Sequence, residues 1–149
     1  MQTIEIRKAC ERDLPGIKIL ASQLGYDCTP DELADRFAVL LVREDHHIVV
    51  AEQGDQNGFQ VVAFAHFKKH VALLTDESLE VTGVVVHEKF QGLGIGRRLM
   101  ATAEDLANEW NVKSVRLTSN IKRSEAHQFY LGLGYEQPKT SHFFIKRLA

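Results

Sequence analysis

The residues best suited to chemistry in this chain lie between Val84 and Leu99, in the run VVVHEKFQGLGIGRRL. A strand-like apolar segment leads into Gly92, Gly94 and Gly96, and helix-forming residues follow at once. Glycine carries no Cβ, so a backbone built from it approaches an anion closely. Successive N–H groups and the positive end of a helix dipole then face that anion. The spacing predicts a phosphate or pyrophosphate site at a helix N-terminus; the plainer alternative is a tight strand-to-helix turn. Two nucleotide motifs fail. The sixth position of G-x-G-x-x-G is Arg97 counted from Gly92 and Leu99 counted from Gly94, and the loop ends in Gly96-Arg97-Arg98 where a P-loop needs G-K-[ST].

The elements that must position this loop follow from periodicity. Ile4 and Ile6 suggest a first strand. Leu14, Ile17, Ile19, Leu20 and Leu24 follow helical spacing up to Gly25, and Asp13 stands three residues after Cys10 as in a capping box. Thr29-Pro30-Asp31-Glu32 begins a second helix expected to bury Leu33, Phe37 and Leu40 or Leu41. Strands are expected over residues 48–52 and 59–69, around the turn Gly54 to Gly58, and again over 79–86. A helix from Ile95 to Trp110, a strand at Val115 and Leu117, a helix from Glu125 to Leu133 and a last strand from His142 to Leu148 complete the order. Three consecutive strands before the long helix argue for a mixed sheet rather than alternating parallel units.

The whole chain sets limits. At 149 residues it is long enough to bury a core without disulfide or metal staples, and one domain spanning 1–149 is expected. With 18 basic against 20 acidic residues, no global field points to nucleic acid or an anionic membrane. No segment approaches the roughly 20 apolar residues of a membrane span. Cys10 and Cys28 read as free thiols in a reducing compartment, and the N-terminal residues have no apolar run of signal-peptide length, so a cytoplasmic location is expected. His46, His47, His66, His70, His87, His127 and His142 have no H-x-x-x-H or H-E-x-x-H spacing, so no metal is expected.

Gln91-Gly92-Leu93-Gly94-Ile95-Gly96 resembles the Gln/Arg-x-x-Gly-x-Gly/Ala pyrophosphate loop of GNAT acetyltransferases. A second stretch is similar to that family's other signature: Asn120 after a strand, then Ala126, Phe129, Tyr130 and Gly134-Tyr135. The resemblance implies an α/β (α+β) GNAT fold, a mostly antiparallel sheet of about six to seven strands flanked by four helices. It implies acetyl-coenzyme A as acetyl donor, with Gln91, Gly92, Leu93, Gly94, Ile95 and Gly96 on the pyrophosphate and Arg97 adding charge. Val84, Val85 and Val86 pair their backbone with the pantetheine arm, and Asn120 lies on the coenzyme A side. The thioester sulfur receives the Tyr130 hydroxyl. Phe129 is expected in the core.

Acyl transfer to an amine needs the neutral amine, whereas an alkyl ammonium has a pKa of about 10. A base must take that proton, donors such as the Val86 N–H must meet the developing oxyanion, and a phenol such as Tyr130 can protonate the departing thiolate. Glu80 is the expected base, since period-two alternation puts it on one face with Val84 and Val86 and several family members carry a glutamate there.

The resemblance places the acceptor near residues 24–37 and 70–78, which hold Tyr26, Asp27, Asp31, Glu32, Asp35, Asp76 and Glu77. Ser119 to His127, with Gly134 to Gln137 and Ser141 to Phe143, resembles bacterial aminoalkylphosphonate acetyltransferases. The expected activity is N-acetylation of a primary amine of a small molecule by direct transfer in a ternary complex. The alternatives are a peptide or protein N-acetyltransferase and a noncatalytic acyl-coenzyme A-binding module. Homodimers are common in the family, and the resemblance allows one here.

Overall fold

Alternation of Ile4 and Ile6 with polar neighbours does produce a first strand, β1, Thr3–Lys8. The structure, a computed structural model, describes residues 3–56 and 58–149. The chain divides into two compact units, Met1–Thr118 and Ser119–Ala149.

In the first unit a single 3-10 turn, Glu11–Asp13, leads into helix α1, Leu14–Gln23. The Asp13 carboxylate accepts the Cys10 N–H at 2.8 Å, the returning half of the expected capping box. Helix α2, Pro30–Leu41, starts with a complete box: the Glu32 N–H donates to Thr29 Oγ1 and the Thr29 N–H to Glu32 Oε1, both at 3.1 Å. Strands β2 (His46–Asp55), β3 (Gly58–His70) and β4 (Ser78–Val86) follow, then α3 (Ile95–Glu109) and β5 (Val115–Leu117). Of the expected turn between β2 and β3, Asn57 lies outside the described residues.

The sheet order is β1-β2-β3-β4-β5; the first three pairings are antiparallel and β4–β5 is parallel. One core joins Ile17 of α1 and Phe37 of α2 to Val50, with Phe64 packed against it. The apolar stripe of α3, from Ile95 through Leu99 and Ala103 to Ala107, is buried as its 3.6-residue spacing requires.

Arg7 ties three elements together. Its two terminal nitrogens donate to the Asp13 carboxylate at 2.8 Å each, and its Nε donates to Glu52 at 2.7 Å. Both carboxylates are nearly inaccessible, so each depends on this guanidinium. Burial alone pushes the Asp13 carboxyl up, but the bonds from Arg7 and from Cys10 outweigh it and hold it below the usual carboxylate range.

The second unit holds α4, Ser124–Gly132. The mixed, mostly antiparallel fold is as expected, with five strands among the described residues instead of six or seven. The missing one is His142–Leu148, which forms no strand. Phe143, Phe144 and Ile145 are consecutive, so a strand there would need cover on both faces. Instead Phe143 is 86% and Phe144 87% exposed, and no ladder partner exists among the described residues.

Removing Arg7 should leave the buried Asp13 carboxylate without its cation and Glu52 with only Arg12, 3.8 Å away. Arg7→Met is expected to lose about 3 kcal/mol of unfolding free energy in urea at pH 7. Because the Asp13 pKa is depressed by folding, its contribution is present above its unfolded value of about 3.9 and is lost as the pH falls below that. Acid titration of unfolding should show the loss in the parent and not in Arg7→Met.

Candidate functional site

Strand β4 is long because it serves two neighbours, and it loses one of them halfway. Its rungs with β5 are Leu79–Val115, Glu80–Arg116 and Val81–Leu117, and they end there. From Thr82 to Val86 it pairs only with β3, leaving one edge without a strand among the described residues. The His87 N–H donates to the Val62 carbonyl at 2.8 Å, which makes that rung a hydrogen-bonded one. Antiparallel rungs alternate, so Val85 spends its backbone groups on β3 while Val84 and Val86 turn theirs to the open edge. The open edge is thus lined by backbone of Val84 and Val86, and that of Val85 is turned to β3.

A bulge changes the face Glu80 occupies. His66 is opposite Gly83 and Phe67 is opposite Val81, so Thr82 is the extra residue. Val85, Gly83 and Glu80 therefore share the face of Phe64, His66 and Lys68, while Val84 and Val86 lie on the other. The expected common face for Glu80, Val84 and Val86 is not formed, because strict period two does not survive an inserted residue. Glu80 lies between two basic side chains, 3.3 Å from Lys68 Nζ and 3.7 Å from Arg116 Nε.

On that same face a pair of histidines shares one hydrogen bond: His46 Nδ1 lies 2.8 Å from His66 Nε2. Burial, with His46 and Lys68 nearby, lowers the His66 pKa to about 4, and burial lowers that of His46 as well. Both rings are mostly neutral at pH 7. Sequence spacing gave no sign of the pair, because twenty residues separate its members and only the β2–β3 register unites them. No group of three or more His, Cys, Asp or Glu that could hold a metal is assembled among the described residues.

Beyond β4 comes the turn. Gly92 (φ +79°) and Gly94 (φ +84°) adopt the left-handed region, and a Cβ on either would meet no atom within 4 Å. The second finding matters as much as the first: open space stands over both. Gly94 is the residue before α3, and the first helical bond runs from the Arg98 N–H to its carbonyl at 3.1 Å. The N–H groups of the first turn, at Ile95, Gly96 and Arg97, therefore have no helical acceptor. Leu93 and Arg97 are exposed, whereas the Ile95 side chain is buried and can offer only its backbone. The Gln91 side chain bends back, its Nε2 donating to the Val86 carbonyl at 3.2 Å.

The second unit carries the other two expected residues. Asn120 Oδ1 accepts the Lys122 N–H at 2.9 Å, and its backbone carbonyl accepts from Arg123 N–H at 3.0 Å and lies 2.8 Å from His127 Nε2. It thus shapes the turn into α4. Tyr130 is half-buried against Phe129 and Tyr135, with ring centroids 5.3 and 6.0 Å away. Burial raises its phenol pKa against the opposing pull of Arg123, so the proton is firmly held at neutral pH. Phe129, expected in the core, is 36% exposed.

Acidic residues of the expected acceptor segments are partly spent on structure. Glu32 closes the α2 cap and pairs with Arg36 at 3.5 Å, and Glu77 pairs with Lys69 at 3.5 Å. Tyr26 is 71% exposed.

If the open glycine turn holds a pyrophosphate, filling it should be costly. Gly94→Val forces a β-branched residue to positive φ, a strain of about 1–3 kcal/mol, and places methyls where the anion would sit. Calorimetric titration should show acetyl-coenzyme A bound at least about tenfold more weakly. Unchanged affinity would mean that the turn is only a turn.

Residues 14–135 match the model of the Acetyltransferase (GNAT) family. The chain is 32% identical over 154 residues to an aminoalkylphosphonate N-acetyltransferase of Salmonella typhimurium, covering 99% of this chain and 94% of that one. Among solved structures it resembles the aminoglycoside N-acetyltransferase AAC(6')-Iy in complex with CoA (TM-score 0.86, 16% identity, 99% and 97% covered). It also resembles glucosamine-6-phosphate N-acetyltransferase from Arabidopsis thaliana (TM-score 0.82, 22% identity, 96% and 98% covered). The strand, glycine turn and helix fall within the matched residues, and the chain belongs to the GNAT family of acetyltransferases, as an acyltransferase enzyme.

Proposed function

We propose that residues 1–149 act as one acetyltransferase domain that moves the acetyl group of acetyl-coenzyme A to the primary amine of a small molecule, by direct transfer with both substrates bound. One observation carries the reading: β4 has an edge with no strand beside it among the described residues, and that edge runs into an open, positive-φ glycine turn and the first-turn N–H groups of α3. An amide-bearing chain ending in a pyrophosphate is the ligand such a sequence of groups suits. Acetyl-coenzyme A supplies the thioester.

The residues then take the following roles. Backbone groups of Val84 pair with the pantetheine arm, and the Val86 N–H polarises the carbonyl under attack. The turn from Gln91 to Gly96 surrounds the pyrophosphate through its N–H groups, and Arg97 adds positive charge at its exposed edge. The side-chain amide of Asn120, with its oxygen committed to Lys122, has its nitrogen left for the donor. Tyr130 keeps its proton at neutral pH and delivers it to the departing sulfur. Glu80 draws the ammonium of the acceptor to its face of the sheet and takes a proton from it through water. Its ion pairs with Lys68 and Arg116 fix the carboxylate on the face it shares with His66.

For the acceptor, the similarity to an aminoalkylphosphonate N-acetyltransferase over nearly the whole chain favours a small amine that carries an acidic group. That similarity also favours chemistry over a noncatalytic binding role, and a small acceptor over a peptide.

Thiol release from acetyl-coenzyme A, followed with aminoalkylphosphonates, aminoglycosides and a peptide, tests the reading. Release with an aminoalkylphosphonate is expected, together with a fall in kcat of about a hundredfold in Tyr130→Phe at unchanged acetyl-coenzyme A affinity. Glu80→Gln should lower kcat/KM between pH 6 and 9. An undiminished kcat in Tyr130→Phe removes the acid role, an unchanged pH profile removes Glu80 as base, and no release with any amine removes the transferase reading.

A further inference from the structure

The last residue of α1 reaches the end of β4. Gln23 Nε2 donates to the Val86 carbonyl at 2.8 Å, and Gln23 Oε1 accepts the Glu88 N–H at 3.0 Å. A carbonyl and an N–H two residues apart are what a neighbouring strand would engage, so this one side-chain amide stands in for a rung. It does so where β5 has already left: the alternation of the β3–β4 ladder turns the Val86 carbonyl to the open edge. Gln91 donates to the same carbonyl at 3.2 Å, and both its lone pairs are thereby engaged.

We infer that Gln23 is a positioning residue of the donor site: its amide caps the last rung of the open β4 edge and fixes the corner from which the glycine turn departs. The inference deepens the donor reading above and rests on it. It sharpens which groups remain for the donor, namely the backbone of Val84 for the pantetheine arm and the N–H of Val86 for the thioester carbonyl, while the Val86 carbonyl is already used. It also gives α1 a task at the site. The chain runs from Gln23 directly into residues 24–29, the start of the segment expected to border the acceptor, so one side chain joins that segment to the donor edge.

Gln23 is exposed, so replacing it opens no cavity and should change Tm by only about 2 °C. Two variants of the full chain separate the two halves of the clamp. Gln23→Ala loses both bonds; acetyl-coenzyme A affinity by titration calorimetry should fall about tenfold, with kcat at saturating donor little changed, and exchange of the Glu88 amide proton should quicken by about the same factor. Gln23→Glu keeps an oxygen for the Glu88 N–H but has no donor for the Val86 carbonyl. Its Glu88 amide should stay protected while donor affinity still falls. Donor affinity within about twofold of the parent in both variants would overturn the inference. Absence of acetyl-coenzyme A binding by the parent chain would instead overturn the donor reading itself, and the inference with it.

Discussion

A strand that loses its neighbour must find other partners for its backbone. That constraint organises the first unit. β4 pairs with β3 from Ser78 to Val86 on either side of the Thr82 bulge and with β5 for only three rungs, so the groups of Val84 and Val86 face no strand among the described residues. Sheets usually blunt or cover such an edge, because unpaired N–H and C=O groups attract any extended chain. Here the edge is short: it begins where the β5 pairing stops at Val81, and it finishes at the corner capped by the Gln23 amide, from which the chain turns toward the N-terminus of α3. A ligand with amides at one end and phosphates at the other completes both. The same ligand gains from a turn whose glycines leave open space over the backbone.

The remaining elements hold that edge in place. Arg7 links β1 and β2 to the residue that leads into α1, and its two carboxylate partners are too buried to be satisfied by water. The direction of α1 is therefore set at its start by a charged network and at its end by the bonds of Gln23 to β4. Between these ends Ile17 and Leu20 are buried. The β4 bulge performs a different service. By inserting Thr82 it moves Glu80 onto the face of His66 and Lys68, so the carboxylate and the valine side chains at 84 and 86 lie on opposite sides of one strand.

Much of this was legible in the residues, and the gaps have physical causes. Both helix caps, the buried stripe of α3 and the glycine turn announced themselves because each depends on neighbours within a few positions. The face of Glu80 was misread because a bulge is a property of two strands together, invisible in either alone. The His46–His66 pair, the Arg7–Glu52 bond and the Gln23 clamp join residues 20 to 65 positions apart, and no local pattern marks them. The last strand was over-read from its apolar content: Phe143-Phe144-Ile145 has the composition of a strand without the alternation that lets one face stay in water.

The account turns on an edge that binds by its backbone. Titrating acetyl-coenzyme A into the ¹⁵N-labelled chain and following amide resonances and exchange rates tests this directly. The Val84 and Val86 amides and those of Gly92 to Arg97 should shift and become protected on binding, while the Val85 amide, already committed to β3, stays where it was. If Val84 and Val86 were unmoved by saturating donor, or Val85 responded as strongly as they did, the open edge would not be the donor site.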